Sequence, residues 1–287
     1  MRLSLLLATA TLPAAAVGPP FRPTALFGHH MVLQATDPDK PDESAHIAGL
    51  APAGEIVTLE VAFGGKTENT FRTASDSSGR WSIGGLKATM NQGPFVLTLS
   101  SMGESHTASD VWFGTVLLCT GQSNMELNLH PIYNNDSIIA GANTPEIRLF
   151  QVPINVSVQP LPVGTPLGAN WTMASPATVP GFSAICYLTA REISDRMMCE
   201  AGACHFGLIQ SCLGSTDVQS WMSAEAREHA RTSCWAEHGQ PTPAVLPPSE
   251  SHAPKGNISG EPMGSASLLY NAMIAPLIGY QLSGVLW

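Results

Sequence analysis

Charge is scarce in this chain. Asp, Glu, Lys and Arg make up only 12% of its 287 residues, and the 13 Lys and Arg form no cluster. With a formal net charge of −9, the composition argues against a nucleic-acid partner. No cysteine pair has C-x-x-C spacing and the nine histidines are scattered, so neither a metal site nor a cofactor is expected. Beyond the N-terminus no apolar run reaches the length of a membrane-spanning helix. What is present in quantity is apolar material: 44% hydrophobic residues exclude a disordered chain and allow a sizeable core.

The first residues read as an address. Met1-Arg2 is a short positive end, Leu3 to Leu12 an apolar core, and Pro13-Ala14-Ala15-Ala16 a small-residue cleavage region. This is the pattern of a secretory signal peptide over residues 1–18. Sequons at Asn135, Asn155, Asn170 and Asn257 fit a glycoprotein of the lysosomal or extracellular route, with each asparagine at the surface. The six cysteines permit up to three disulfides. Cys199 and Cys204 are close enough in sequence to close a small loop, while Cys119, in an apolar run, reads as a buried thiol.

Residues 19–108 read as a small all-β sandwich. Ile56 to Phe63 has strand propensity, Gly64-Gly65 is a hairpin turn, and Thr67 to Ala74 pairs back. Further strands start at Arg80 and Phe95. Trp81 is expected in the sandwich core rather than on a sugar.

Residues 109–287 read as an α/β domain with a parallel sheet. Strands are expected at Val116–Cys119, Glu146–Val152, Phe206–Gln210 and Gly284 onward. A helix over Phe182–Met198 has Ser183 as N-cap and apolar positions Ile185, Leu188, Ile193 and Met197. A short apolar helix stops near Pro276, and residues 224–260 form an irregular insertion. Within this region Val116 to Cys119 leads through Gly121 to Ser123, at the carboxyl end of a strand, where open α/β sheets place ligands. A helix is expected from about Asn124. This is the geometry of an activated serine beside an oxyanion site. The amide of Ser123 supplies one oxyanion donor, and that of Gly214, after the Phe206 strand, is the best placed second.

Several segments together resemble the sialate O-acetylesterase family of the SGNH/GDSL-like hydrolases. They are Asp110-Val111-Trp112-Phe113-Gly114 leading into Leu118 to Met125, Phe182 to Cys186, Gly207-Leu208-Ile209 with Gly214 and Trp221, Tyr270 to Ile274, and His30 to Gln34. The resemblance implies hydrolysis of O-acetyl esters on sialic acids or sialoglycans, with Ser123 as nucleophile, Ser123 and Gly214 as oxyanion donors, and Gln122 and Asn124 in supporting roles. Two positions depart from the pattern: Leu213 stands where a tryptophan is usual, and Ser215 where a second glycine is usual. The family also continues past the position of Trp287 to a further oxyanion segment and the catalytic His with its acidic partner. The chain is therefore expected to be a C-terminally truncated esterase, weakly active or inactive alone. A non-catalytic secreted glycan-binding protein is the alternative, and a general carboxylesterase shares the same chemistry. Oligomeric state is left open.

Overall fold

The computed structural model describes residues 18–37, 39–40, 44–196, 204–234 and 267–287. Residues 1–17, within the segment expected to be a signal peptide, together with Met197, Met198, Cys199 and Asn257, lie outside the described residues. The fold is built on β8 (Glu104–Gly121), a strand of 18 residues. Its first half pairs antiparallel with β7 (Phe95–Ser101). Its second half is almost wholly buried and pairs parallel with β11 (Phe206–Cys212), β2 (Val32–Gln34) and β12 (Gly284–Leu286). The expected boundary at 108–109 thus falls inside one continuous strand.

Among the described residues the resulting sheet has nine strands. Beyond β11 come β9 (Thr144–Gln151) and β10 (Thr172–Ala174). Beyond β7 come β4 (Ile56–Phe63) and β5 (Lys66–Ala74). A separate sheet holds β1 (Arg22–Pro23), β3 (Ala45–Leu50) and β6 (Arg80–Leu86). The architecture is therefore mixed α/β with one large mixed sheet, and the N-terminal strands are shared between it and the three-stranded sheet. Gly64 and Gly65, with φ of 57° and 80°, close the β4–β5 hairpin as the sequence indicates. Trp81 is buried, as expected.

Alternation along β8 sets the two faces of the parallel region. Val116 and Leu118 join the core that also holds Trp81, Phe150, Ile209 and Met273. Leu117 and Cys119 point the other way, into a second core with Ile147, Leu208 and Tyr187. The second core is flanked by α2 (Asn135–Ala140), through Ile138 and Ile139, and covered by α3 (Ala184–Arg196), whose Ser183 side chain accepts from the Cys186 amide as N-cap.

Two readings of this region are corrected. Cys119 is not a thiol but is disulfide-bonded to Cys186, with the Cα atoms 5.9 Å apart. The reason is the strand period: Cys119 and the first turn of α3 share one face. The buried side of α3 is Ala184, Cys186, Tyr187 and Ala190, and Ile185 is exposed. Small residues and the disulfide bring that side of the helix close to the sheet, and Leu188 and Ile193 pack only at its margin. Cys204 is also disulfide-bonded. The segment expected to be irregular from residue 224 begins instead with a helix, α4 (Ala224–His229), capped by Ser223.

Candidate active site

The segments singled out in the sequence converge on β8. Val32, Leu33 and Gln34 lie beside Trp112, Phe113 and Gly114 in register. The Gln34 side-chain oxygen accepts from the Val116 amide at 2.9 Å. Gln210 of β11 accepts from the Ser183 amide at 2.8 Å, and Ser211 donates to the Met273 carbonyl at 3.0 Å. Together these contacts bring the strand end at Gly121 next to the start of α3 and the end of β11.

Beyond Gly121 the chain turns sharply. Gly121 has φ of 130°, a backbone conformation that favours glycine. A single helical turn follows, α1 (Ser123–Glu126), in which the Glu126 amide donates to the Gln122 carbonyl at 2.9 Å and the Leu127 amide to the Ser123 carbonyl at 2.9 Å. Met125 is buried and anchors this turn in the second core. Gln122, Ser123 and Asn124 remain exposed. The amide of Ser123, first in the turn, has no acceptor within it.

The facing loop leaves β11 at Cys212. The Leu213 amide donates to the Gly121 carbonyl at 3.1 Å, extending the ladder by one bond. Next, the Gly214 amide donates to Glu126 Oε2 at 2.7 Å. The Ser215 amide points at Ser123 Oγ, 3.4 Å away. Thr216 donates to the Leu213 carbonyl at 2.6 Å and accepts from the Trp221 indole at 3.0 Å. Sequence reasoning named Gly214 as the facing donor, yet its amide is engaged by Glu126, and the amide directed at Ser123 is that of Ser215. Glu126 itself was missed. Its position in the first turn after the serine, i+3 from Ser123, was the available signal.

Ser123 opens onto a cleft of about 430 Å³ lined by Gln122, Ser215, Thr216, Asp217, Val218 and Trp287. Trp287 is exposed and meets Trp221 edge to face, with centroids 6.3 Å apart. The neighbouring Cys212 is a free, buried thiol. Burial, aided by the Glu126 charge and opposed by a hydrogen bond from Gln210, pushes it up to about 11.

No described histidine hydrogen-bonds to Ser123. His29 pairs with Ser109, His30 with Asp110, and His229 with Ser233. His205 precedes β11, at the opposite end of the strand from Cys212. Among the described residues no group of three or more His, Cys, Asp or Glu is arranged to hold a metal ion, and no helix is long and apolar enough to cross a membrane. Asn155 and Asn170 are exposed, while Asn135 is half-buried and donates to the His130 carbonyl.

No family model matches the chain. It is similar to the sialate O-acetylesterase of Mus musculus, 26% identical over 93% of the chain and 51% of that relative. The human protein of the same name is 27% identical over 93% of the chain and 48% of its own length. Among solved structures, a carbohydrate acetylesterase from Xanthomonas citri shares the fold, with a TM-score of 0.68 and 24% identity over 94% of this chain and 51% of that one. The chain is thus similar to sialate O-acetylesterases over 93% of its length and spans about half of theirs.

Proposed function

We propose that the chain carries the nucleophile half of a carbohydrate esterase acting on O-acetyl esters, of the sialate O-acetylesterase type. The observation that carries this reading is the position of Ser123. It stands exposed on a turn at the carboxyl end of β8, with a backbone amide directed at its hydroxyl and an open cleft before it. Attack of Ser123 Oγ on the acetyl carbonyl would form an acyl-enzyme and release the sugar hydroxyl. Water would then release acetate. The amides of Ser123 and the 213–216 loop would face the developing oxyanion.

The step needs a base, and no described histidine reaches Ser123. Loss of one member of a serine triad typically costs about four orders of magnitude in turnover, so any release that Ser123 drives should vanish in Ser123→Ala. The reading is tested by incubating the purified chain with 9-O-acetylated sialic acid and with 4-nitrophenyl acetate, and measuring acetate release against Ser123→Ala. Slow release that disappears in Ser123→Ala supports it. Release that persists unchanged in Ser123→Ala overturns it, and binding of the sialoside without any release favours a glycan-binding protein. A secretory address belongs to the same reading. It is supported by the exposed sequons at Asn155 and Asn170 and by the Cys119–Cys186 disulfide. A mobility shift on enzymatic removal of N-glycans from the secreted chain is the check.

A further inference from the structure

We infer that Glu126 is a positioning residue, which occupies the Gly214 amide and thereby turns the Ser215 amide toward the nucleophile. This rests on the esterase reading for its chemical meaning, but not for its geometry. Glu126 and Ser123 ride on the same helical turn, three residues apart, so the backbone positions that carry the carboxylate and the hydroxyl are fixed relative to one another by the bonds of that turn. The Gly214 amide meets Glu126 Oε2 at 2.7 Å, a charge-assisted bond and so one of the stronger kinds. The next amide along, Ser215, meets Ser123 Oγ at 3.4 Å.

The backbone of the loop shows how closely the two sides are fitted. A Cβ built on Gly214 would lie 2.5 Å from Glu126 Oε2 and 3.4 Å from Ser123 Oγ. A side chain at position 214 would have to displace the carboxylate from where it now sits. Ser215 is held at φ of 59°, a left-handed conformation that a serine adopts at a cost. Neighbouring contacts hold the loop on either side: Leu213 on Gly121, and Thr216 between Leu213 and Trp221. The strained residue is therefore the one whose amide is delivered to Ser123. The consequence is a division of labour between consecutive amides. Gly214 is the anchor, and Ser215 is the donor this loop presents to an oxyanion.

The experiment uses the 287-residue chain, labelled with ¹⁵N-glycine and ¹⁵N-serine. In Glu126→Ala the Gly214 amide is expected to exchange with solvent deuterium roughly ten- to a hundredfold faster, the loss of a hydrogen bond to a charged group, and the Ser215 resonance to move with it. Glu126→Gln keeps an acceptor oxygen, so protection is retained within about threefold. An unchanged Gly214 amide in Glu126→Ala overturns the inference. So does a Gly214 change that leaves Ser215 unmoved, because the carboxylate would then hold the loop without aiming it. If the parent chain turns over acetyl esters, Glu126→Ala lowers kcat with KM little changed and Glu126→Gln restores most of it. If the parent chain releases no acetate, that counts against the esterase reading, while the amide measurements still decide the role of Glu126.

Discussion

The indole of Trp112 lies flat on the imidazole of His205, with ring centroids 3.8 Å apart and planes 8° from parallel. Burial lowers His205 to about 4, the nearby Arg148 charge adds to this, and Asp110 opposes it. Unfolded, the same ring titrates near its ordinary value of 6.5. Between those values the unfolded chain binds more protons than the folded one. Stability therefore rises with pH from about 4 to 6.5 and is fully present above that window. His205 contributes at most about 1.4 kcal/mol per pH unit to this slope. Urea midpoints at several pH values should show it, and His205→Phe, which keeps the stack, should flatten it. An equal slope in the variant would remove His205 as the cause.

Gly114 admits no side chain. A Cβ there would lie 2.0 Å from the carbonyl oxygen of His205, a backbone atom that cannot swing aside. Gly114→Ala must separate β8 from β11 at the Thr115–His205 bond of 2.9 Å. Destabilisation of about 3 kcal/mol or more is expected from such overpacking, seen as a large drop in melting temperature. A variant within about 1 kcal/mol of the parent would show that the two strands have slack here.

The Cys119–Cys186 bridge closes a loop with a sequence separation of 67. On the chain-entropy view such a crosslink is worth about 4 kcal/mol. The double variant Cys119→Ala/Cys186→Ala should lose most of that in equilibrium urea unfolding, with the bridge at Cys204 left intact. A loss below about 1 kcal/mol would assign α3 docking to the packing of Tyr187 and Ala190 alone.

Ser215 offers the opposite test, a gain. Its φ of 59° suits glycine, and the left-handed region costs other residues about 1 kcal/mol. Part of the relief is offset because glycine loses more freedom on folding. Ser215→Gly is expected to stabilise by roughly 0.5 kcal/mol, while leaving the amide at Ser123. Calorimetry of the two chains side by side decides the sign.

Local patterns were the legible part of this fold. The buried strand at Val116 to Cys119, the Gly64-Gly65 hairpin, the burial of Trp81 and the Ser183 cap all follow from residues near one another in sequence. Ser123 was placed at a strand end by the same means. What was not legible depends on distant partners. Cys119 finds Cys186 only because the strand period aims it at α3. Ile185 sits on the open side of α3 because the bridge and the small residues set the contact face, which an apolar count does not show. Glu126 and Gly214 are separated by 88 positions, and neither carries a local signal of the other. The strand crossing 108–109 was hidden because its two halves take different partners, β7 antiparallel and β11 parallel.

That strand also determines how the molecule comes apart. Glu104 to Gly121 is a single beam, with antiparallel neighbours at one end and the serine turn at the other. Neither half of the sheet can melt without stripping partners from the other, so heat should meet one cooperative transition with equal calorimetric and van't Hoff enthalpies. Strain introduced among the N-terminal strands is thereby transmitted along covalent backbone toward the serine turn, and that end of the sheet inherits its rigidity from strands that never touch it.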